Sequence, residues 1–364
     1  DKSADKSADK SADKSADKSA DKSAEAEKPA EKPAKDAKKE EPAAEEPAAA
    51  EGEEDPEADS DDPQRKEKAK ALAKEWKEFE KTELDEGDID RFIKYCADFG
   101  KSYVNKIEFK LRLWQWKQSD NFIKANSWDA RSHYKIGHNK FSDWSKHEYM
   151  NLLGYAQPAE KQAKNIVRMS NTASVASSID WRKYGLVSDV SGQGMCGSDW
   201  AFAAIGALEG AYGVQQGKFT PLSIQQALDC TGQATSCKGG TMTQAFDYLK
   251  TAKAMTAKDY PYNTGYAQRG DECKYDEAKA TSCQVDTYTF ADSGDVDMMK
   301  KALSHQPIAT SFNADAQSFQ FYTSGVYDDE SCDGTVLNHA VTLVGYGSED
   351  GEGYWLPQKS LGSD

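Results

Sequence analysis

The chain has 364 residues, a formal net charge of −16 and seven cysteines. No run is apolar for long enough to span a membrane, and no cluster of Lys and Arg offers the basic face that a nucleic acid would need. Residues 1–90 hold 31 acidic against 18 basic side chains and the rest 31 against 28, so the acidity belongs to an N-terminal extension and not to the globular part. No signal peptide and no Asn-x-Ser/Thr acceptor is visible.

Residues 1–24 are six copies of Asp-Lys-Ser-Ala, and 25–63 continue in Glu, Ala, Lys and Pro. Too few apolar side chains are present to offset the entropy of ordering, so 1–63 is expected to be a disordered, acidic low-complexity region. Leu72, Trp76 and Phe79 share one helical face, which predicts a short helical linker over 64–87. Phe92, Tyr95 and Phe99 form the next apolar stripe, ended by Gly100. A second helix is expected from about 106 to 126, with Glu108 and Arg112 paired four residues apart and Trp116 and Ile123 at helical spacing. The turn Gly137-His138-Asn139-Lys140-Phe141-Ser142-Asp143 follows. Residues 156–176 lack periodicity and read as an exposed linker open to proteolytic cutting.

The stretch 193–202, Gln-Gly-Met-Cys-Gly-Ser-Asp-Trp-Ala-Phe, leads into an apolar run over 201–212 with few charges and many small residues. That pattern predicts a helix packed on all sides, with Ser198 and Asp199 where an N-cap belongs. Shorter helices are expected over 222–230 and 243–250. Between them, Cys237-Lys238-Gly239-Gly240 marks a turn where backbone comes close to something. From 282 onward β-type segments dominate, at 284–290, 308–312, 340–345 and 354–356. A helical half followed by a β half is an α+β arrangement. Six of the seven cysteines fall in this globular part, which favours an oxidising compartment.

In order, these segments resemble the precursors of papain-family, cathepsin-like cysteine peptidases. The family's long-helix propeptide motif is met at Glu108, Arg112 and Ile123, with Trp116 at its Phe position and Ser119 and Ser127 at its Asn positions. Its second motif is complete at Gly137, Asn139, Phe141 and Asp143. The resemblance implies a propeptide inhibitor domain over 88–155 that caps the cleft and runs through it backwards. It also implies a two-half peptidase domain over 177–364, C-terminally short, with the cleft between the halves. By family pattern, Cys196 pairs with Cys237 and Cys230 with Cys273. Cys332 lacks its usual partner, and Cys96 and Cys283 have none assigned. Gly239 and Gly240 match a backbone wall for extended peptide; Met242, Ser311 and Ala340 match the lining of the main specificity pocket. The implied partners are a peptide or protein segment in the cleft and the chain's own propeptide. No cofactor or metal is expected, and the implied compartment is lysosomal, vacuolar or extracellular.

Peptide hydrolysis by a thiol needs a thiolate, an imidazole, a group that orients the imidazole, and donors for the oxyanion. The resemblance assigns the oxyanion donor to Gln193 and the base to His339, in the segment 337–347. The nucleophile position holds Asp199. The orienting Asn position holds Lys359, which has no acceptor, and Leu361 stands where a shielding Trp would be. Asp199 facing a protonated His339, with Lys359 as a second cation, would keep the family's charge pattern without the sulfur. The implied function is a pseudopeptidase made as a zymogen-like precursor. One alternative is an active cysteine-type endopeptidase, which requires a cysteine at position 199 or Cys196 acting in its place. The other is a structural or tethering protein acting through its acidic repeats.

Overall fold

The computed structural model describes residues 84–127, 133–158, 175–231, 236–267, 270–292, 294–358 and 360–362. The expected disorder of 1–63, the helix on Leu72, Trp76 and Phe79, most of the 156–176 linker, and Lys359 lie outside the described residues.

Helix α1 (Glu86–Asp98) opens at Asp85, whose carboxylate accepts the Asp88 N–H at 2.7 Å, and stops ahead of Gly100 at φ 62°. Helix α2 (Lys106–Asn126) opens at Asn105, whose side chain accepts from the Ile107 and Glu108 N–H groups. Each cap of this kind contributes about 1 kcal/mol by satisfying donors that the first turn leaves free. The two helices bury Phe92, Tyr95, Leu113 and Trp116 in a small aromatic core. Strand β1 (Tyr134–Ile136) and helix α3 (Lys146–Met150) follow. The expected Glu108–Arg112 pair does not form. Glu108 accepts the Val104 N–H, and Arg112 makes two 2.7 Å contacts with Glu148, which also closes a capping box with Ser145 on α3. A two-pronged guanidinium–carboxylate contact between elements outweighs an i,i+4 pair worth about 0.3–0.5 kcal/mol.

The larger part begins with strand β2 (Ile179–Asp180) and the central helix α4 (Asp199–Gln216). Helices α5 (Ile224–Cys230) and α6 (Met242–Thr251) pack on α4, and α7 (Thr264–Ala267) is a single turn. Then come α8 (Val296–His305), β3 (Ile308–Phe312), α9 (Gln317–Gln320), β4 (Tyr322–Gly325), β5 (His339–Glu349) and β6 (Glu352–Gln358). Strand β5 is the hub of an antiparallel sheet and pairs with β2, β3 and β6, while β1 pairs with β4 in a separate two-stranded ladder. The β5–β6 hairpin turns on Asp350 and Gly351, at φ 51° and 92°, which an Asp-Gly pair adopts readily. The strand expected over 284–290 is absent. Val285 N–H donates to Leu249 O, so this stretch is tied to the end of α6 and joins no ladder.

Helix α4 is longer than its apolar run and is buried between α5, α6 and the sheet. Ala201, Ala203, Ala204 and Ala207 line it, and a Cβ at Gly206 would stand 2.4 Å from Thr342 Oγ1 on β5. Small residues therefore set how closely helix and sheet approach. Disulfides Cys196–Cys237 and Cys230–Cys273 tie the loops around it, while Cys96, Cys283 and Cys332 are free.

Glu209 on α4 is 6% exposed, and its Oε1 accepts the Leu222 N–H at 2.8 Å. Burial pushes its carboxyl up to about 7, against the pull of the Leu222 bond. The folded value lies above the ordinary one, so the fold favours the protonated form. Its contribution is complete below about pH 4.3 and is lost as pH rises through about 7. Glu209→Gln keeps the acceptor for Leu222. It should match the wild type near pH 4 and exceed its stability near pH 8 by about 3–4 kcal/mol. Unfolding midpoints at the two pH values check this; a gap that does not widen with pH contradicts it.

Candidate active site and the segment that fills it

Asp199 and His339 are both 0% exposed. Each opens a stiff element, Asp199 at the first residue of α4 and His339 at the first of β5. The expected N-cap position falls on Ser198, but neither candidate side chain makes a capping bond there. Ser198 holds the cap position with no side-chain cap bond, and its Oγ lies 2.8 Å from the Tyr262 hydroxyl. The Asp199 carboxylate is engaged elsewhere. Its Oδ1 accepts the Trp200 N–H at 2.8 Å; its Oδ2 accepts the Ala340 N–H at 2.9 Å and lies 2.7 Å from His339 Nδ1. Since the carboxylate accepts from two backbone donors, His339 Nδ1 carries the hydrogen on its contact. Among the described residues, His339 Nε2 has no hydrogen-bond partner.

The antiparallel register sets Phe312 beside His339 and Ser311 beside Ala340. Ala340 is buried in the main core with Trp200, and Met242 at the start of α6 packs against that core. A Cβ at Gly240 would stand 2.6 Å from the Trp200 ring. The three residues matched to the specificity pocket thus come from α6, β3 and β5.

Gln193 is buried. Its side-chain amide donates to Leu152 O and to Cys196 O, both at 2.7 Å, and its Oε1 accepts from Ser360 Oγ. Leu152 follows α3, so a carbonyl of the segment after α3 occupies the donor that the resemblance assigns to the oxyanion. Beyond it, Tyr155 N–H donates to Asn338 O at 3.2 Å, Ala156 N–H to Gly240 O at 2.9 Å, and Gly240 N–H to Gly154 O at 2.9 Å. Segment 152–156 therefore lies between the helical and sheet halves, and its bridge to Gly240 is parallel. A Cβ at Gly154 would stand 1.9 Å from Gly197 O, and one at Gly239 would stand 2.5 Å from Gly154 O. Backbone can touch backbone there only because side chains are missing.

The turn over 137–143 moors this segment. Gly137 N–H donates to Phe321 O at 2.9 Å, and the Asn139 side chain donates to Gln320 O at 2.7 Å. Asp143 accepts from Tyr95, Lys101 and Tyr103. Phe141 clusters with Tyr149, Leu152 and Leu361. Sequence reasoning missed Gly154, Asn338 and Tyr262. Tyr262 donates to Gln193 O at 2.8 Å and so joins the Gln193 loop to Ser198. The Tyr260-Pro261-Tyr262 run and a lone glycine after Leu152-Leu153 were the available signals.

Two substitutions test this geometry. Trp200 and Ala340 donate to different oxygens of Asp199, so Asn at that position sets a donor against a donor in either orientation. Asp199→Asn should destabilise by about 1–3 kcal/mol; an unchanged unfolding midpoint would contradict the carboxylate's role as a tie. Gly154→Ala should release segment 152–156, read as at least about tenfold faster amide exchange there, while α4 keeps its protection. Unchanged exchange would contradict it.

Residues 175–364 match the papain family cysteine protease family, and residues 92–149 match the cathepsin propeptide inhibitor domain. The chain is 38% identical over 280 residues to thiol protease aleurain of Arabidopsis thaliana, covering 75% of this chain and 76% of that protein. It is 34% identical over 291 residues to probable cysteine protease RD21B of the same plant, covering 78% of this chain and spanning 61% of RD21B. Digestive procathepsin L 3 of Tenebrio molitor larval midgut superposes with a TM-score of 0.67 at 32% identity, over 76% of this chain and 89% of that one. Among the described residues no helix is long and apolar enough to cross a membrane. With a cathepsin-type propeptide segment ahead of its peptidase domain, the chain belongs to the papain family of cysteine peptidases.

Proposed function

We propose that this chain is a pseudopeptidase of zymogen form, which holds peptide backbone in a papain-type cleft without cutting it. The observation that carries this reading is the engagement of the Asp199 carboxylate by Trp200, Ala340 and His339, at the position that the resemblance assigns to the nucleophile. A carboxylate is a weak nucleophile toward an amide, and its charge opposes the oxyanion that Gln193 would stabilise. Cys196 is consumed in a disulfide with Cys237. Lys359, at the orienting position, offers donors only. Recognition needs none of this chemistry. Gly240 and Asn338 present backbone groups to an extended segment, as in strand addition. The partner is then a peptide or protein segment, with the chain's own propeptide as the occupant in cis. The two disulfides suit an oxidising compartment on the lysosomal, vacuolar or extracellular route.

The test uses the purified chain, before and after an added protease cuts within 159–174. It should cleave no member of a broad peptide library and take no label from an epoxide that alkylates thiolates. Asp199→Cys alone should be labelled yet turn over slowly. Adding Lys359→Asn and Leu361→Trp should raise turnover by about 100-fold or more, the scale of general acid–base assistance. Cleavage by the wild-type chain, or stoichiometric labelling of Cys196, would overturn the reading.

A further inference from the structure

A cavity of about 290 Å³ lies between the propeptide segment and the peptidase domain. One wall comes from α2 and from Trp144 and Lys146 at the start of α3; the other comes from Asp315, α9 and Phe321. It shares no residue with segment 152–156, Gln193, Asp199 or His339. Neither partner encloses it alone.

The lining is polar, carries no net charge and has two flat faces. Lys146 and Asp315 are its charged groups among the described residues, and they cancel, with Nζ 3.0 Å from Oδ1. That approach lacks the angle of a hydrogen bond, and Asp315 Oδ1 is buried without a hydrogen-bond partner. Gln115 and Gln118 on α2 and Gln317 on α9 bring three amides, each both a donor and an acceptor. Among the described residues no side-chain hydrogen bond ties any of the three down. Trp114 is 3% exposed, and the half-buried Trp144 meets Phe141 edge-on with ring centroids 5.1 Å apart, so both indoles are fixed faces.

These properties select a ligand. A charged molecule finds no net charge to answer it. An apolar molecule would leave Asp315 Oδ1 and the amides unpaired once it displaced water, which lowers affinity at every such group. The volume stands at the lower end of ligand pockets, which run from about 300 to 1,000 Å³, so it takes one ring and not a length of peptide. A pyranose meets each condition. Its C–H face packs on an indole, and its rim of hydroxyls donates and accepts as the amides do.

We propose that this cavity binds one neutral hexose unit, held jointly by the propeptide and the peptidase domain. Such a ligand stabilises the docked propeptide, because it binds the docked form and not the separated walls. The unit is a free sugar or the end of a glycan chain, and both present the same ring. Asp199 plays no part in it, so the site exists whether or not the chain cuts peptide.

The test is saturation-transfer NMR on the full chain with the methyl glycosides of glucose, galactose and mannose, followed by titration on indole fluorescence. At least one should bind saturably with a Kd of about 1–10 mM, ordinary for a ligand of about a dozen heavy atoms. Gln118→Leu and Gln317→Leu remove one amide from each wall, at exposed side chains. Each should weaken binding about fivefold, the loss of one hydrogen bond; if one fails to fold by circular dichroism, the other decides. At about ten times Kd, the sugar should slow amide exchange over 144–150 about tenfold, the linkage expected of a ligand that binds only the docked form. A linear trisaccharide of the same sugar that binds as well supports a glycan end, and one that is shut out supports a free sugar. No binding of any glycoside at about 50 mM, several times that Kd range, overturns the site. So does binding that a folded variant leaves unchanged, exchange that the sugar does not slow, or tighter binding of the charged analogues glucuronate or glucosamine than of the neutral sugar.

Discussion

One buried carboxylate accepts hydrogen bonds from both walls of the cleft, and the two halves of the peptidase domain meet on it. Asp199 takes the Trp200 N–H from its own helix, and the Ala340 N–H with His339 Nδ1 from β5. Taking a carboxylate out of water costs several kcal/mol, a cost offset here by three donors and the positive end of an 18-residue helix. Much else hangs on this contact. It sets where α4 starts relative to β5, and so the depth at which Gly206 meets Thr342 and the register that puts Ser311 opposite Ala340.

Above that tie, the cleft is shaped for backbone and little else. Gly197, Gly239 and Gly240 remove side chains from one wall, and Gly154 removes one from the occupant. The parallel bridge at Gly240 gives the occupant its direction. The direction of the 152–156 segment and the room left at Gly154 are both set by backbone contacts.

Much of this was legible in the sequence where a local signal coincides with a tertiary one. Helix α2 begins and ends where its periodicity places it because Asn105 supplies a cap and apolar spacing matches a buried face. Strand β3 falls on 308–312, where the β-type composition places it. The failures share one cause. A pattern shows what a residue can do nearby and not who competes for it from afar. Arg112 had a carboxylate four residues back, yet Glu148, 36 residues on, presents two oxygens. Asp199 had the composition of a cap, yet β5 brings donors that no local reading contains. The 284–290 stretch has β-type composition, but its neighbour is the end of α6, whose Leu249 carbonyl accepts the Val285 N–H. The Asp350-Gly351 turn could have been read, since that pair names its own conformation.

The propeptide and the altered site bear on each other through effective concentration. A segment tethered to the domain it blocks competes at millimolar effective concentration, so a free peptide reaches Gly240 and Asn338 only when the tethered one leaves. In a chain that cuts itself, departure is permanent. On the pseudopeptidase reading, departure is an equilibrium, and the cleft is open for the fraction of time that the mooring at Phe321 and Gln320 is broken. The strength of that mooring then sets the apparent affinity for any partner, because binding is reduced by the fraction of molecules already open. Leu361 belongs to the same balance. It packs into the Phe141–Tyr149–Leu152 cluster, so a residue on the peptidase side contributes apolar contact to the closed state. Leu361 and the contacts at Phe321 and Gln320 therefore act on one quantity, how firmly the propeptide is seated.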